Sequence, residues 1–250
     1  MAVTLGGVCH IFSEEMILPW FIKHHKPLFD EMTIIDHDSN DHSIAIIRAL
    51  APEWRIVKSK IGSFDAYKND LEVMEWEKEL KTDWKLTVNI SEFLWKHDIK
   101  DYLANCKSQA IGVRSIIMVD DKERPLDYTE PIYKHRYHGH MDYKSQRRWR
   151  FIHNQPSGKY QTGRHGTNLS ATYDPELFLL YFSLSPWPQC LKRKLQIQTR
   201  IPESDKASGL GFEHITTESK LRQLYENEEK NNLLNELKFK EQYDHFCGKI

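Results

Sequence analysis

The chain has 250 residues, and its 35 Lys and Arg against 36 Asp and Glu give a formal net charge of −1, which excludes a generally basic nucleic-acid coat. Hydrophobic residues at 40% and aromatics at 12% supply enough apolar surface for a core, so wholesale disorder is excluded too. No apolar run approaches the roughly 20 residues that span a bilayer as a helix.

The residues from Met1 onward lack the basic and apolar regions of a secretory leader. The four cysteines (Cys9, Cys106, Cys190 and Cys247) are scattered and form no CxxC pair. A reduced, cytoplasmic protein is therefore expected. No repeat, low-complexity tract or linker divides the sequence. The expectation is one domain over residues 1–250, with a first half to about 110, a second half of about 111–200 and a helical extension of about 215–247.

Residues 7–12 (Gly-Val-Cys-His-Ile-Phe) read as a buried strand. Ser13-Glu14-Glu15 then reads as the cap and first-turn acids of a helix carrying Leu18, Phe21, Ile22 and His25, with Pro19 in its first turn. Residues 32–36 form a second strand, closing in the polar string Asp36-His37-Asp38-Ser39-Asn40-Asp41-His42-Ser43. A helix over 43–50, capped by Asp41, leads to a strand over 54–58. A helix over 66–80 carries Tyr67, Leu71, Met74 and Leu80, and a strand over 84–88 follows. This β-α-β-α-β-α-β alternation predicts a mainly parallel sheet with helices on both faces.

The second half is less regular. Residues 111–119 read as a strand and 120–145, with Pro125 and Pro131, as a polar excursion. Residues 147–153 read as a strand with cationic flanks, and 174–184 and 188–197 as helices. The last 35 residues carry Leu221, Leu224, Tyr225, Leu233, Leu234, Leu237 and Phe246 among charges of both signs. That mixture predicts an amphipathic helix packed on the body, because a membrane-surface helix would be rich in Lys and Arg.

Open α/β sheets bind ligands at the carboxyl ends of their strands. Ser13-Glu14-Glu15, Asp36-His37-Asp38-Ser39-Asn40-Asp41 and Asn89-Ile90-Ser91-Glu92 all fall there. Such a rim suits ribose hydroxyls, base imino groups and a divalent cation carrying a diphosphate. Neither GxGxxG nor GxxxxGK[ST] is present, so the usual dinucleotide and P-loop signatures are missing.

Phe12-Ser13-Glu14-Glu15-Met16-Ile17-Leu18-Pro19-Trp20-Phe21-Ile22-Lys23-His24-His25 resembles the opening of family-2-type glycosyltransferases of the GT-A fold. Asp36-His37-Asp38-Ser39-Asn40-Asp41-His42-Ser43 is similar to their second-strand signature. Trp84-Lys85-Leu86-Thr87-Val88-Asn89-Ile90-Ser91-Glu92-Phe93-Leu94 sits where that family closes a strand in Asp-x-Asp-Glu-Phe. Tyr160-Gln161-Thr162-Gly163-Arg164-His165 resembles a later Gly-x-His element. The resemblance spans about residues 7–170.

The resemblance implies transfer of a sugar, with inversion, from a UDP- or GDP-linked donor to a glycan acceptor. Neither a nucleic-acid partner nor a membrane span is implied. Glu14, Asp36 and Asp38 would hold base and ribose, and Asn89 and Ser91 would lie beside ribose and diphosphate. The general base would come from Asp120, Asp121 or Asp142. The departure is that both acids of Asp-x-Asp are replaced, by Asn89 and Ser91, which bind hard Mn2+ or Mg2+ far more weakly than carboxylates do. Three outcomes follow: Glu92 and His165 hold the ion, Arg164 and Lys68 neutralise the diphosphate without one, or transfer is lost.

The simplest alternative is therefore a non-catalytic module that binds a glycan or nucleotide. A metal hydrolase built on His135, His138 and His140, with His153 and His165 further on, is a third reading, although His-x-x-His-x-His matches no zinc pattern. Lys134, Arg136, Lys144, Arg147, Arg148 and Arg150 make the same stretch cationic, and Tyr133, Tyr137, Tyr143 and Trp149 interleave it. That composition suits sugar or diphosphate contacts, or a solvated loop. His24 and His25 read as histidines that pack a helix.

Overall fold

A computed structural model of the chain describes residues 2–96, 98–120, 126–136, 138–141, 149–187, 189–209 and 216–233. The first half alternates as expected: β1 (Leu5–Ile11), α1 (Leu18–His25), β2 (Glu31–Asp36), α2 (Ser43–Leu50), β3 (Arg55–Lys58), α3 (Ala66–Glu79) and β4 (Trp84–Thr87). Then come β5 (Glu92–Trp95), α4 (Ile99–Ala104), β6 (Ala110–Val119), a 3-10 turn (Ile132–Lys134), β7 (His138–Met141), β8 (Trp149–His153) and β9 (Ala171–Tyr181). Three helices follow, α5 (Gln189–Gln198), α6 (Glu203–Ala207) and α7 (Glu218–Leu233).

The strands form one sheet in the order β3-β2-β1-β4-β8-β6-β9-β5, with β7 also on β6. β3, β2, β1 and β4 pair in parallel, and β1 and β4 are buried along almost their whole length, as strands covered on both faces must be. Beyond β4 the pairing is mixed: β8 is antiparallel to both β4 and β6, β9 is parallel to β6, and β5 is antiparallel to β9. The unbroken run of parallel pairs expected from the alternation thus belongs to the first half, while the second half sets the one parallel pair β6–β9 among antiparallel ones.

The sheet is curled. Three strands stand between β4 and β5 in the ladder. Thr87 and Glu92 are only five residues apart, a reach of roughly 17 Å, whereas four flat strand spacings would take about 19 Å. Curling brings the carboxyl end of β4 and the start of β5 to one place, and the candidate site is built there.

Two histidines fasten this edge. His25 Nδ1 donates to the Phe21 carbonyl (3.1 Å) and its Nε2 accepts from Leu94 N (3.2 Å), while His24 Nε2 donates to the Leu94 carbonyl (2.7 Å). Together they clip α1 to β5. Burial lowers His24 to about 4 and holds His25 well below the ordinary imidazole value, so both are neutral packing residues, as the sequence suggested.

Several elements differ from expectation. Residues 13–15 do not cap α1: Ser13 takes a left-handed φ of 54°, a turn bonds Ile17 N and Leu18 N to the Glu14 carbonyl, and the helix starts only at Leu18. Asp41 does serve the start of α2, accepting from Ser43 N at 2.9 Å. Residues 171–181 form a strand where a helix over 174–184 was expected. A short apolar run has ambiguous periodicity, and here Leu177 and Leu179 are fully buried in a strand with partners on both edges. The 120–145 excursion contains the 3-10 turn and β7. β5 and α4 are additional elements, too short to carry a period of their own.

The C-terminal helix packs on the body as expected. Leu221 and Tyr225 are buried, and Tyr225 stacks on Trp187 with ring centroids 4.5 Å apart. Residues 234–247 of the expected extension lie outside the described residues.

Candidate functional site

A cavity of about 430 Å³ opens where β1 and β4 end. Its walls come from residues 10–12 and Glu14, from the first turns of α3, from residues 89–92, from the 162–165 loop, and from Arg150 of β8 and Arg193 of α5. Three arginine–carboxylate pairs, buried or half-buried, stand in its polar lining beside His10, Asn69, Ser91 and Asp205.

Arg150 is fastened to Glu92 through Nε–Oε2 (3.0 Å) and Nη2–Oε1 (2.8 Å). Arg164 meets Asp70 through Nη1–Oδ1 (2.6 Å), and its Nη2 donates to Asn89 Oδ1 (2.8 Å). Arg193 Nε sits over both Glu14 oxygens, at 2.7 and 2.8 Å. Removing such charges from water is costly, so each buried carboxylate needs its guanidinium. Burial opposes the charge on Arg150 and Arg193, but Glu92 and Glu14 outweigh it and hold both pKa values above the ordinary arginine value.

The 162–165 loop is strained and over-determined. Gly163 and Arg164 both take positive φ, 86° and 60°, and for a non-glycine residue that conformation costs about 1 kcal/mol or more. Gly163 N donates to Asp70 Oδ2 at 2.6 Å, and Arg150 Nη1 bridges the Gly163 and Arg164 carbonyls and His165 Nδ1. Beneath the loop, fully buried Glu77 accepts from Thr87 Oγ1 (2.7 Å), Tyr160 Oη (2.6 Å), His153 Nε2 (3.2 Å) and Gly158 N (2.8 Å). The result is a fixed cradle for Arg164, whose buried Nε has no hydrogen-bond partner.

Of the residues singled out in the sequence, Glu14, Asn89, Ser91, Glu92, Arg164 and His165 line the cavity. Three others stand apart from its lining. Asp36 braces its own turn, accepting from Ser39 N at 3.0 Å. Asp38, with φ of 63°, pairs with Lys58 (2.7 Å) where both side chains are exposed. Lys68 is also exposed and pairs with Asp65 at 2.9 Å.

Asp120, a sequence candidate for the general base, is enclosed by donors instead of facing the cavity. It accepts from Arg136 Nε (2.9 Å), Ser185 Oγ (2.7 Å), Trp187 N (2.7 Å) and Tyr225 Oη (3.3 Å). It ties the end of β6 to the 185–187 turn and α7, which is a structural duty. Asp121 and Asp142 lie outside the described residues.

Glu92 and His165 do not fit a divalent cation. Glu92 Oε2 accepts from Asn89 N (2.8 Å) as well as Arg150 Nε, and Oε1 accepts from Asn89 Nδ2 (3.2 Å) as well as Arg150 Nη2. His165 Nδ1 faces Arg150 Nη1 at 2.9 Å. The Arg150 guanidinium thus occupies the carboxylate oxygens that Mn2+ or Mg2+ would favour.

The histidine-rich stretch does not converge on one point. His135 packs against Trp20, His138 lies in β7, His153 pairs with Glu77 and His165 with Arg150. The side chain of His140 falls outside the described residues.

Asp70 and Arg193 complete the site without having been singled out from sequence, and Arg150 was named there only within the cationic stretch suited to sugar or diphosphate contacts. A cationic residue inside an apolar strand was the available signal for Arg150. Asp70 and Arg193 look like surface charges of amphipathic helices, and only the tertiary fold turns them inward.

No protein-family model matches the sequence, and no curated protein matches it either. Among solved structures, the fold is similar to that of Staphylococcus aureus TarS residues 1–349, with TM-score 0.43 and 10% identity over 79% of this chain and 65% of that one. The same protein in complex with UDP-GlcNAc gives TM-score 0.34 and 17% identity over 50% of this chain and 37% of that one. Glucosyl-3-phosphoglycerate synthase from Mycobacterium tuberculosis, in complex with Mn2+, UDP and glucosyl-3-phosphoglycerate, gives TM-score 0.34 and 15% identity over 46% of this chain and 44% of that one. In each case the aligned part is less than two thirds of the neighbour's length.

Proposed function

We propose that the chain is a glycosyltransferase of the GT-A type, taking a sugar from a nucleotide-diphosphate donor to a carbohydrate acceptor with inversion. The observation that carries this reading is Arg164. Its guanidinium is locked by Asp70 and Asn89 in the cavity wall, while its buried Nε has no partner, as a site awaiting an anion would have. The resemblance of residues 12–25, 36–43 and 84–94 to that family supports the same reading.

In the reaction, negative charge builds on the departing nucleoside diphosphate. A guanidinium fixed in a water-poor cleft stabilises that charge without having to reorganise. Arg164 meets the phosphates, and Arg150 positions it by holding the backbone carbonyls of its loop. Glu14 and Asn89 lie where the nucleoside would sit, at the ends of β1 and β4. The acceptor hydroxyl loses its proton to Asp121 or Asp142, in the segments that follow β6 and β7.

The test is equilibrium binding of UDP, GDP, UDP-glucose and UDP-GlcNAc, followed by assay of sugar release. Binding of a nucleoside diphosphate in EDTA, weakened by Arg164→Ala, is expected. Absence of binding to all four overturns the reading. A second reading, a nucleotide- or glycan-binding module without turnover, is favoured by the engagement of Glu14, Asp70 and Glu92 by arginines. Binding without donor turnover would select it.

A further inference from the structure

We propose that His10, His37 and Glu72 bind one zinc-class transition-metal ion beside the cavity, at the carboxyl ends of β1 and β2. This site is independent of the glycosyltransferase reading. In the parallel register of β1 and β2, His10 lies opposite Ile35 and Ile11 opposite Asp36, so His37 stands just past the end of β2, and α3 brings Glu72 across both. One nitrogen of each imidazole and one Glu72 oxygen lie within 4.8 Å of one another. A point therefore exists no more than about 2.8 Å from all three donors, and rotamer adjustments of under about 1 Å reach the 2.0–2.2 Å of a zinc site.

The two rings meet through His37 Nε2 and His10 Nδ1 at 3.3 Å and Glu72 is held by Ser59 and Lys60, which leaves one nitrogen on each ring over. His10 Nε2 is 3.9 Å from Glu72 Oε2, beyond hydrogen-bond range, and buried His10 Nε2 and His37 Nδ1 have no hydrogen-bond partner. The imidazoles are 4.7 Å apart in an edge-to-face arrangement. Burial holds both pKa values below the ordinary value, which leaves the neutral ring that a metal ligates.

Glu72 is already aimed. Ser59 Oγ donates to its Oε2 and Lys60 N to its Oε1, each at 2.7 Å, as the supporting partners of a ligating carboxylate do. Phe64 covers His37, with ring centroids 5.0 Å apart.

Two imidazoles and one carboxylate, without a thiolate, suit Zn2+ in preference to Mg2+ or Ca2+, and they leave a fourth position open. His10 is part of the cavity wall, so that position is within reach of a water or an oxygen of a bound ligand.

The experiment is titration of the chelator-stripped 250-residue chain with Zn2+ by calorimetry, with Co2+ absorption as the spectroscopic readout. One ion per chain is expected, with a Co2+ spectrum of nitrogen and oxygen ligands and no thiolate band. His37→Gln and Glu72→Gln should each weaken binding at or above the roughly hundredfold that losing a supporting partner alone can cause. His42→Gln, at an exposed histidine, should leave it unchanged. Thermal melts in chelator establish that the variants are folded, and Zn2+ should raise the melting temperature of the parent but not of His37→Gln. The proposal is overturned by no stoichiometric binding to the parent chain, by full affinity in folded His37→Gln and Glu72→Gln, or by a thiolate band.

Discussion

Arg150 grips Glu92 through both carboxylate oxygens, and the remaining acceptor sites of those oxygens belong to the backbone and side-chain nitrogens of Asn89. The one acid among residues 89–92, at the carboxyl end of β4, is thereby neutralised inside the protein. Nucleoside diphosphate affinity should accordingly change less than about twofold between EDTA and millimolar Mn2+, well under the tenfold that 1.4 kcal/mol represents. A loss of binding in EDTA would contradict the arrangement. Glu92→Ala should destabilise the chain by about 3–5 kcal/mol in urea unfolding, because it leaves the Arg150 guanidinium buried and unpaired.

Arg164→Ala should raise the Kd for the nucleoside diphosphate at least about tenfold, since a hydrogen bond to a charged group contributes roughly 1.5–3 kcal/mol. Arg164→Lys keeps the charge but loses the planar fork that Asp70 and Asn89 hold, so it should recover only part of the affinity. Calorimetry on the three proteins decides this.

Glu77→Gln tests whether the loop is held from below. One Glu77 oxygen takes Thr87, His153 and Tyr160, and the other takes Gly158 N. An amide cannot accept at both ends, so a loss of about 2–5 kcal/mol in chemical denaturation is expected. Amide exchange across residues 158–165 should rise with it.

Stability should fall on mild acidification. Burial depresses the pKa of His24 to about 4 and that of His25 well below the ordinary value. The unfolded chain therefore binds more protons once the pH drops below about 6.5, the ordinary imidazole value, and each histidine adds a slope of up to about 1.4 kcal/mol per pH unit. Melting temperature should be flat above that point and decline from it toward pH 4. His24→Gln, which still donates to the Leu94 carbonyl, should make the decline shallower.

Asp120→Asn separates fold from chemistry. With Arg136, Ser185, Trp187 and Tyr225 all donating to this carboxylate, its substitution should lower stability by about 1–3 kcal/mol and leave nucleotide affinity intact. Asp121→Asn and Asp142→Asn should do the reverse: one of them reduces kcat about a hundredfold or more while the melting temperature holds.

The first four strands and their helices could be read from the sequence because each carries its own signal: a mostly apolar run in β1, Trp84 and Leu86 alternating with Lys85 and Thr87 in β4, and a helical period in α2 and α3. β5 and β9 could not, because a buried four-residue strand has no alternation and the leucines of β9 also suit a helix. At the site, Asn89, Ser91 and Glu92 were legible as polar residues closing a strand. The contrast between Lys68 and Asp70 shows the limit. Two residues apart on α3, they face different ways, and the fold buries Asp70 against Arg164 while Lys68 stays in solvent. Arg193 could be assigned only once α5 had been placed over Glu14.

The three cavity acids that pair with arginines all come from before residue 93 and their arginines all from residue 150 onward, across a β4–β8 ladder of only two residue pairs. The consequence is one of inheritance. A drift from Glu92 to an apolar residue would be tolerated only beside a matching change at Arg150, and Asp70 with Arg164 and Glu14 with Arg193 are bound in the same way. A chimaera of two diverged relatives joined between residues 93 and 149 would bring mismatched partners into the same cleft, losing its fit to ligand and its cohesion together.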